Sequence, residues 1–151
     1  MADISTVDAL AVEGRDPFLR SYMHVALHCD QVAGYISTPL ALSERITIQP
    51  LADVEHVPNF ERCVFQIRLV SPQNVVMGTP DQEKIIAYGD MVELYHVCTE
   101  QVVTFCRRLT SSHERSCLQT ILLRKEEVVD ARDTYFRILP RYKVRHEGEQ
   151  V

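Results

Sequence analysis

The sequence lacks several features on which common functions depend. It has no tryptophan, its five glycines are scattered singly, and its uninterrupted apolar runs, such as CVF and TILL, are short. A membrane-spanning helix needs about 20 consecutive apolar residues, and a phosphate-binding loop needs glycines at close, fixed spacings. The sequence therefore argues against membrane insertion of this segment and against a nucleotide site of that kind.

Basic charge is also scarce. The formal charge is -5, and residues 1–60 hold eight acids and only three bases. Nucleic-acid binding needs a basic footprint, so the composition argues against a nucleic-acid partner. The five cysteines are an odd number and the N-terminus lacks a secretory signal, so we expect free thiols in the cytosol and no disulfides.

Short β-rich runs make up most of the chain. Residues 1–16 are acidic and weakly patterned and end at Asp16-Pro17, so we expect a flexible N-terminal tail. SPQNVVMGTPDQEK is interpreted as the longest loop, and LLRKEEVVDARD as one or two helical turns. The strand-like runs are FLRSYMHVAL, GYIST, ERITIQP, RCVFQIRLV, KIIAY, DMVELYHV, QVVTFC, LQTILL, TYFRIL and YKVRH. Many short strands between turn signals predict an all-β fold.

An internal repeat organises these runs. One offset along the chain lays Val25-Ala26-Leu27 on Val92-Glu93-Leu94, and the same offset lays Tyr35-Ile36-Ser37 on Val102-Val103-Thr104. A slightly larger offset lays Phe65 on Phe136. The sequence therefore predicts two copies of a unit that runs strand, turn, strand, β-rich stretch and final strand.

A unit of this size cannot bury its apolar face alone, so copies must pack around a common axis. At the C-terminus, Gly148-Glu149-Gln150-Val151 echoes Gly89-Asp90-Met91-Val92. We therefore expect a β-trefoil (MIR-like) with two complete lobes and a truncated third, continuing beyond Val151. Its expected parts are lobe one (about 17–72), a loop (73–83), lobe two (about 84–145) and the start of lobe three (146–151).

Residues with metal or catalytic chemistry occur without the spacing that such sites need. His96 and Cys98 lie two apart, but no second pair matches the two-to-four-residue spacing of structural zinc ligands. We interpret both as core-side or edge side chains on one strand face with Val92 and Leu94, which we expect to lie in the core. No nucleophile elbow frames a cysteine or serine, and Glu126-Glu127 is interpreted as a solvated connection. We expect no catalytic, metal or ligand site, no cofactor and no enzyme activity.

One cationic stripe is a candidate contact surface. Arg141, Lys143 and Arg145 alternate with other residues, which puts three cations on one side of a strand. Two interpretations stay open: the stripe contacts an acidic surface of a partner, or it protects a sheet edge from mispairing. Arg107-Arg108 is interpreted as the exterior of a hairpin or loop.

Four segments, in order, carry a family resemblance. GYISTPLALSERITIQP resembles a strand of the type F-I-S-T that leads to a strand ending in Gln-Pro, and VPNFERCVFQI resembles a proline loop followed by F-x-x-C-x-F. IIAYGDMVELYHV is similar to a Tyr-Gly-x-x-[IV]-x-L-x-H segment, and TYFRILPRYKVRHEGEQV to [WF]-x-I-x-P-x-x-K-x-R-x-x-G-[DE]-x-V. Together they resemble the N-terminal domain of the inositol trisphosphate receptor and ryanodine receptor calcium-release channels.

The resemblance implies a suppressor-like regulatory module on the cytosolic face of an endoplasmic reticulum-type membrane. It also implies contacts with neighbouring domains and subunits of a homotetrameric channel, and inositol trisphosphate binding by downstream domains. Two departures stand out: only a short stretch separates Leu69 from Tyr88, where the receptors insert a helical arm, and Ser21-Tyr22 replaces the family's Gly-Asp before the first strand. The alternative is a lectin-like MIR trefoil of a secretory-pathway O-mannosylation or chaperone protein.

Overall fold

The computed structural model of this chain describes residues 17–39, 45–50, 60–71, 84–111, 115, 117–141 and 146–151. The expected tail (1–16), the loop 73–83 and most of the run YKVRH lie outside these residues. No helix within the described ranges is long and apolar enough to cross a membrane.

Antiparallel strands dominate the described part of the chain, which confirms the all-β prediction. The strands are β1 (His24–Ala26), β2 (His28–Cys29), β3 (Gly34–Ser37), β4 (Thr47–Pro50), β5 (Val64–Ser71), β6 (Met91–His96), β7 (Gln101–Thr110), β8 (Leu118–Leu123) and β9 (Phe136–Arg137). One four-residue helix, α1 (Phe60–Cys63), precedes β5, and short 3-10 turns span Asp30–Val32, Lys125–Glu127 and Ala131–Thr134. The last two turns fall on LLRKEEVVDARD, as expected. The run KIIAY, which was predicted to be a strand, forms only isolated β-bridges.

Two sheets organise these strands. The larger has the order β1-β5-β6-β7-β8, with β9 also paired to β6, and the smaller has the order β2-β3-β4. Apolar side chains alternate along β5 and β6, so that those of each strand lie on one face of the sheet. Four of them pack in one core, where each is at most 5% exposed: Phe65, Ile67, Val92 and Leu94. The expected core positions Val92 and Leu94 are therefore confirmed.

The hydrogen-bond registers repeat along the chain. Val25 pairs with Phe65, and Val92 pairs with Phe136. The hairpins follow the same rule, because His28 pairs with Tyr35, and the equivalent residues of the second half, Tyr95 and Val102, pair with each other. The two offsets found in the sequence thus correspond to equivalent backbone pairings in the two halves of the chain.

Three chain segments meet in a closed ring of backbone hydrogen bonds. The amide of Leu19 donates to the carbonyl of Val151 (2.7 Å), that of Val151 donates to Ile86 (3.0 Å), and that of Ile86 donates to Leu19 (2.8 Å). The three side chains pack in or against the core. The ring therefore joins the start of each half of the chain to its C-terminal residue. In this ring Val151 is bonded to Ile86, whereas the echo in the sequence sets Val151 on Val92.

Each of the two halves begins with the same type of turn. Gly89 has a φ of 97°, and the carboxylate of Asp90 accepts a hydrogen bond from the amide of Ala87 (2.8 Å). Tyr22, at the equivalent place in the first half, has a φ of 68°, and the sulfur of Met23 accepts from the amide of Arg20 (3.1 Å). The chain therefore forms the Gly-Asp turn a second time with residues that suit it less well. The pair that does so is Tyr22-Met23, one residue later than the Ser21-Tyr22 pair set against the family's Gly-Asp.

Candidate functional site

The predicted cationic stripe is only partly within the described residues. Arg141 is described, whereas Lys143 and Arg145 lie outside the described ranges. The Arg141 guanidinium contacts the Oδ2 atom of Asp30, and the Oδ1 atom of Asp30 lies 2.7 Å from Nδ1 of His28. The side chain of Arg141 is 35% exposed. Arg141 therefore links the C-terminal segment to the turn after β2, and its charge already faces a carboxylate.

His96 connects three parts of the fold. It is fully buried, and its ring packs edge-on against Phe65 with a centroid distance of 5.1 Å. Nε2 lies 3.3 Å from the carbonyl of Arg62, which can only accept, so Nε2 carries the proton. Nδ1 then accepts from the amide of Thr99 at 3.3 Å. Desolvation lowers the pKa of His96, against the opposing effect of hydrogen bonds to the carbonyls of Arg62 and Glu61.

The cysteines near His96 do not form a site with it. Cys98 is exposed in the turn after β6, so its assignment to the strand face of Val92 is wrong; the strand ends at His96. Cys63 is buried, and its Sγ donates to Oε1 of Gln49 at 3.6 Å. Burial raises the pKa of the Cys63 thiol, with a smaller opposing effect from the charge of Arg62. Among the described residues, no cluster of three or more His, Cys, Asp or Glu residues could hold a metal ion.

A partly buried ion pair lies on the larger sheet, at residues that carry no local sequence signal for one. Oε1 of Glu93 lies 2.5 Å from Nζ of Lys125, and Oγ1 of Thr134 donates to the same oxygen at 2.5 Å. Glu93 is 9% exposed and Thr134 is fully buried. Burying a carboxylate requires such partners, so this cluster fixes the 3-10 turns 125–127 and 131–134 against β6. The neighbouring Glu127 accepts from the amide of Arg124 at 2.9 Å.

A second charge network lies on the surface of β7. Nε of Arg107 donates to Oδ1 of Asp133 (2.8 Å), and Nη2 of Arg107 donates to Oδ2 of Asp130 (3.1 Å). Arg132 also donates to Asp130 through both its amide and its side chain, and these bonds lower the pKa of Asp130 to about 2. Arg107 is exterior, as expected, but it lies within a strand and is bound to acids of its own chain.

Comparison with known protein families gives one finding. The family described as the inositol 1,4,5-trisphosphate/ryanodine receptor matches residues 73–151, just over half of the 151 residues. The matched range includes β6 to β9 and the segment that closes the hydrogen-bond ring. No curated protein matches the chain.

Proposed function

Because the chain belongs to the inositol 1,4,5-trisphosphate/ryanodine receptor family, we propose that it is a regulatory, suppressor-like module of an intracellular ligand-gated calcium-release channel. The family match over residues 73–151 is the observation that carries the proposal. The module tunes ligand affinity and relays gating through contacts with neighbouring domains and subunits of a homotetramer. It works on the cytosolic face of an endoplasmic reticulum-type membrane.

The charges of the described residues favour a regulatory role rather than direct binding of the ligand by this module. A triply phosphorylated ligand calls for several converging guanidinium and ammonium groups. Within the described ranges, Arg107, Lys125 and Arg141 each contact a carboxylate of this chain. We therefore assign inositol trisphosphate binding to downstream domains. We also propose Arg141, Lys143 and Arg145 as a domain-contact surface, in which Arg141 is anchored by Asp30.

The test compares the intact channel subunit with a version that lacks residues 1–151. Removing a module that restrains ligand binding should raise inositol trisphosphate affinity severalfold and alter ligand-evoked calcium release. A version that lacks only residues 1–16 is the matched control, and it should behave as the intact subunit does. Size-exclusion chromatography establishes that each version still assembles. Unchanged affinity and unchanged calcium release in an assembled deletion variant contradict the proposal.

Charge reversal tests the contact surface separately. Lys143→Glu with Arg145→Glu should change ligand affinity in the same direction as the deletion. Arg108→Glu introduces a similar reversal on the exposed end of β7 and should leave affinity unchanged. Equal effects of the two changes would show that general charge, and not this surface, is responsible.

A further inference from the structure

An arginine is held between two tyrosine rings on one face of the larger sheet. The guanidinium carbon of Arg68 lies 3.9 Å from the ring centroid of Tyr95 and 5.8 Å from that of Tyr22. Its Nε donates to Oε1 of Gln66 at 2.8 Å, and Nε2 of Gln66 donates to the carbonyl of Tyr22 at 3.3 Å. These contacts fix the plane of the guanidinium.

The charge of Arg68 has no carboxylate partner among the residues that the structure describes. Its cross-strand neighbour is Glu93, but that carboxylate is bound to Lys125 and Thr134. Within the same residues, the two Nη groups of Arg68 make no hydrogen bond. A planar guanidinium with both Nη groups available binds carboxylates in a bidentate manner, and stacking on aromatic rings makes it rigid beforehand. The geometry suits an acid from outside this part of the chain.

Apolar side chains are exposed next to this charge. Tyr22 is 39% exposed and Met23 is 42% exposed. With Arg20, Ser21 and Gln66 they line an open groove of about 430 Å³. Tyrosine, methionine and arginine are among the side chains that are enriched in protein interfaces, and a few residues, often tyrosine or arginine, carry most of the binding energy.

The turn that presents Tyr22 and Met23 breaks a local rule that the same chain obeys elsewhere. Gly89 and Asp90 suit the left-handed residue and the capping acceptor of the second turn. In the first turn a tyrosine takes the left-handed conformation and a sulfur takes the place of a carboxylate. Backbone strain of this kind is concentrated at functional sites. The observation is independent of the charge of Arg68 and points to the same face.

We propose that Tyr22, Met23, Arg68 and Tyr95 form a docking surface for an acidic segment of a partner polypeptide. A glutamate or aspartate of that segment binds the Nη groups of Arg68, and an adjacent apolar side chain lies in the groove against Tyr22 and Met23. The inference goes beyond the proposed channel function, because it rests on this sheet face and not on the family or on the Arg141 segment.

A nuclear magnetic resonance titration of the 151-residue chain tests the proposal. The probes are two capped peptides, acetyl-Leu-Glu-Leu-amide and its glutamine counterpart, acetyl-Leu-Gln-Leu-amide. The glutamate peptide should bind at least fivefold more tightly and shift the signals of Arg68 Nε, Met23 and Tyr95. Arg68→Gln should abolish that preference, whereas Arg108→Gln, which removes an exposed charge from β7, should retain it. Thermal unfolding confirms that each variant is folded.

A second variant separates the surface from the stability of the fold. Tyr22→Gly with Met23→Asp restores the turn chemistry of residues 89–90 and should weaken binding of the glutamate peptide at least threefold in a folded chain. Equal affinity for both peptides, or shifts confined to other faces, overturns the proposal.

Two other occupants give distinct results. If removal of residues 1–16 alone changes the Arg68 and Tyr95 signals of the free chain, the acidic tail covers the surface. If sedimentation shows self-association that Arg68→Gln abolishes, a second copy covers it. Either result also overturns the proposal of a separate partner.

Discussion

The first turn offers a direct test of whether Tyr22 and Met23 lower the stability of the fold. Tyr22→Gly combined with Met23→Asp gives the first half of the chain the Gly-Asp pair that already forms the turn at residues 89–90. If the two turns are equivalent, as their φ angles and hydrogen bonds indicate, the double variant should be more stable than the natural sequence.

The expected gain is small but measurable. A non-glycine residue in the left-handed region costs about 1–2 kcal/mol, of which the greater flexibility of glycine in the unfolded chain offsets about 0.5–1 kcal/mol. A carboxylate that accepts from the Arg20 amide contributes about 1.5–3 kcal/mol. Loss of the partly buried Met23 side chain costs about 1 kcal/mol, and loss of the Arg68 contact at 5.8 Å costs about 0.5 kcal/mol. The balance lies between about 0 and 3 kcal/mol, with a central value of about 1.5 kcal/mol of stabilisation, or roughly 3–6 °C in Tm.

Urea and thermal unfolding of both proteins at pH 7 and pH 3 measure this difference. Because only the ionised carboxylate is a strong acceptor, the part of the gain due to the aspartate introduced by Met23→Asp should disappear as the pH falls below about 4. Gly89→Ala is the control, and it should destabilise the chain because it puts a side chain at a φ of 97°. An ordinary damaging substitution costs about 1 kcal/mol. If the double variant is less stable than the natural sequence by that amount, the reasoning is refuted, because Tyr22 and Met23 would then stabilise the fold.

Three further predictions follow from buried and charged groups. The free energy of unfolding should fall as the pH drops below about 6.5, because burial lowers the native pKa of His96 and protonation then favours the unfolded chain. In urea titrations between pH 8 and pH 5, His96→Gln should reduce the change of unfolding free energy with pH. Phe65→Ala should cost about 3–5 kcal/mol, and Phe136→Ala at the equivalent but half-buried position should cost less in the same assay. The Asp130 carboxyl should titrate near pH 2 by nuclear magnetic resonance and move toward its ordinary value in Arg132→Gln; an unchanged midpoint would contradict the role of Arg132.

The features that the sequence revealed are those governed by period and repetition. Val92 and Leu94 lie two apart on either side of Glu93, and their burial in one core explains that spacing. The offset between the two halves was visible because equivalent strands bury apolar side chains at equivalent places, as at Val25 and Val92. The first turn was identified only as a departure from the family's Gly-Asp.

Other features depend on chain geometry that residue types do not encode. Cys98 continues the period of β6, but the chain turns after His96, where Thr99 binds the imidazole and Glu100 has a φ of 55°. The Glu93 pair with Lys125 joins residues that are distant in sequence, and no local spacing predicts it. Tyr22 is a further case, because a tyrosine gives no signal for a left-handed turn. The offset that lays Val25 on Val92 also lays Tyr22 on Gly89, and this match was the one indication in the sequence that Tyr22 takes a left-handed conformation.

The ring of Leu19, Ile86 and Val151 has a consequence for the order of folding. Its members are widely separated in sequence, so each hydrogen bond closes a long loop whose entropy is lost before the bond forms. During synthesis, the amide of Leu19 and the carbonyl of Ile86 have no ring partner until Val151 has left the ribosome. The first half of the chain can form its hairpins early, but the ring that joins the three segments is completed late.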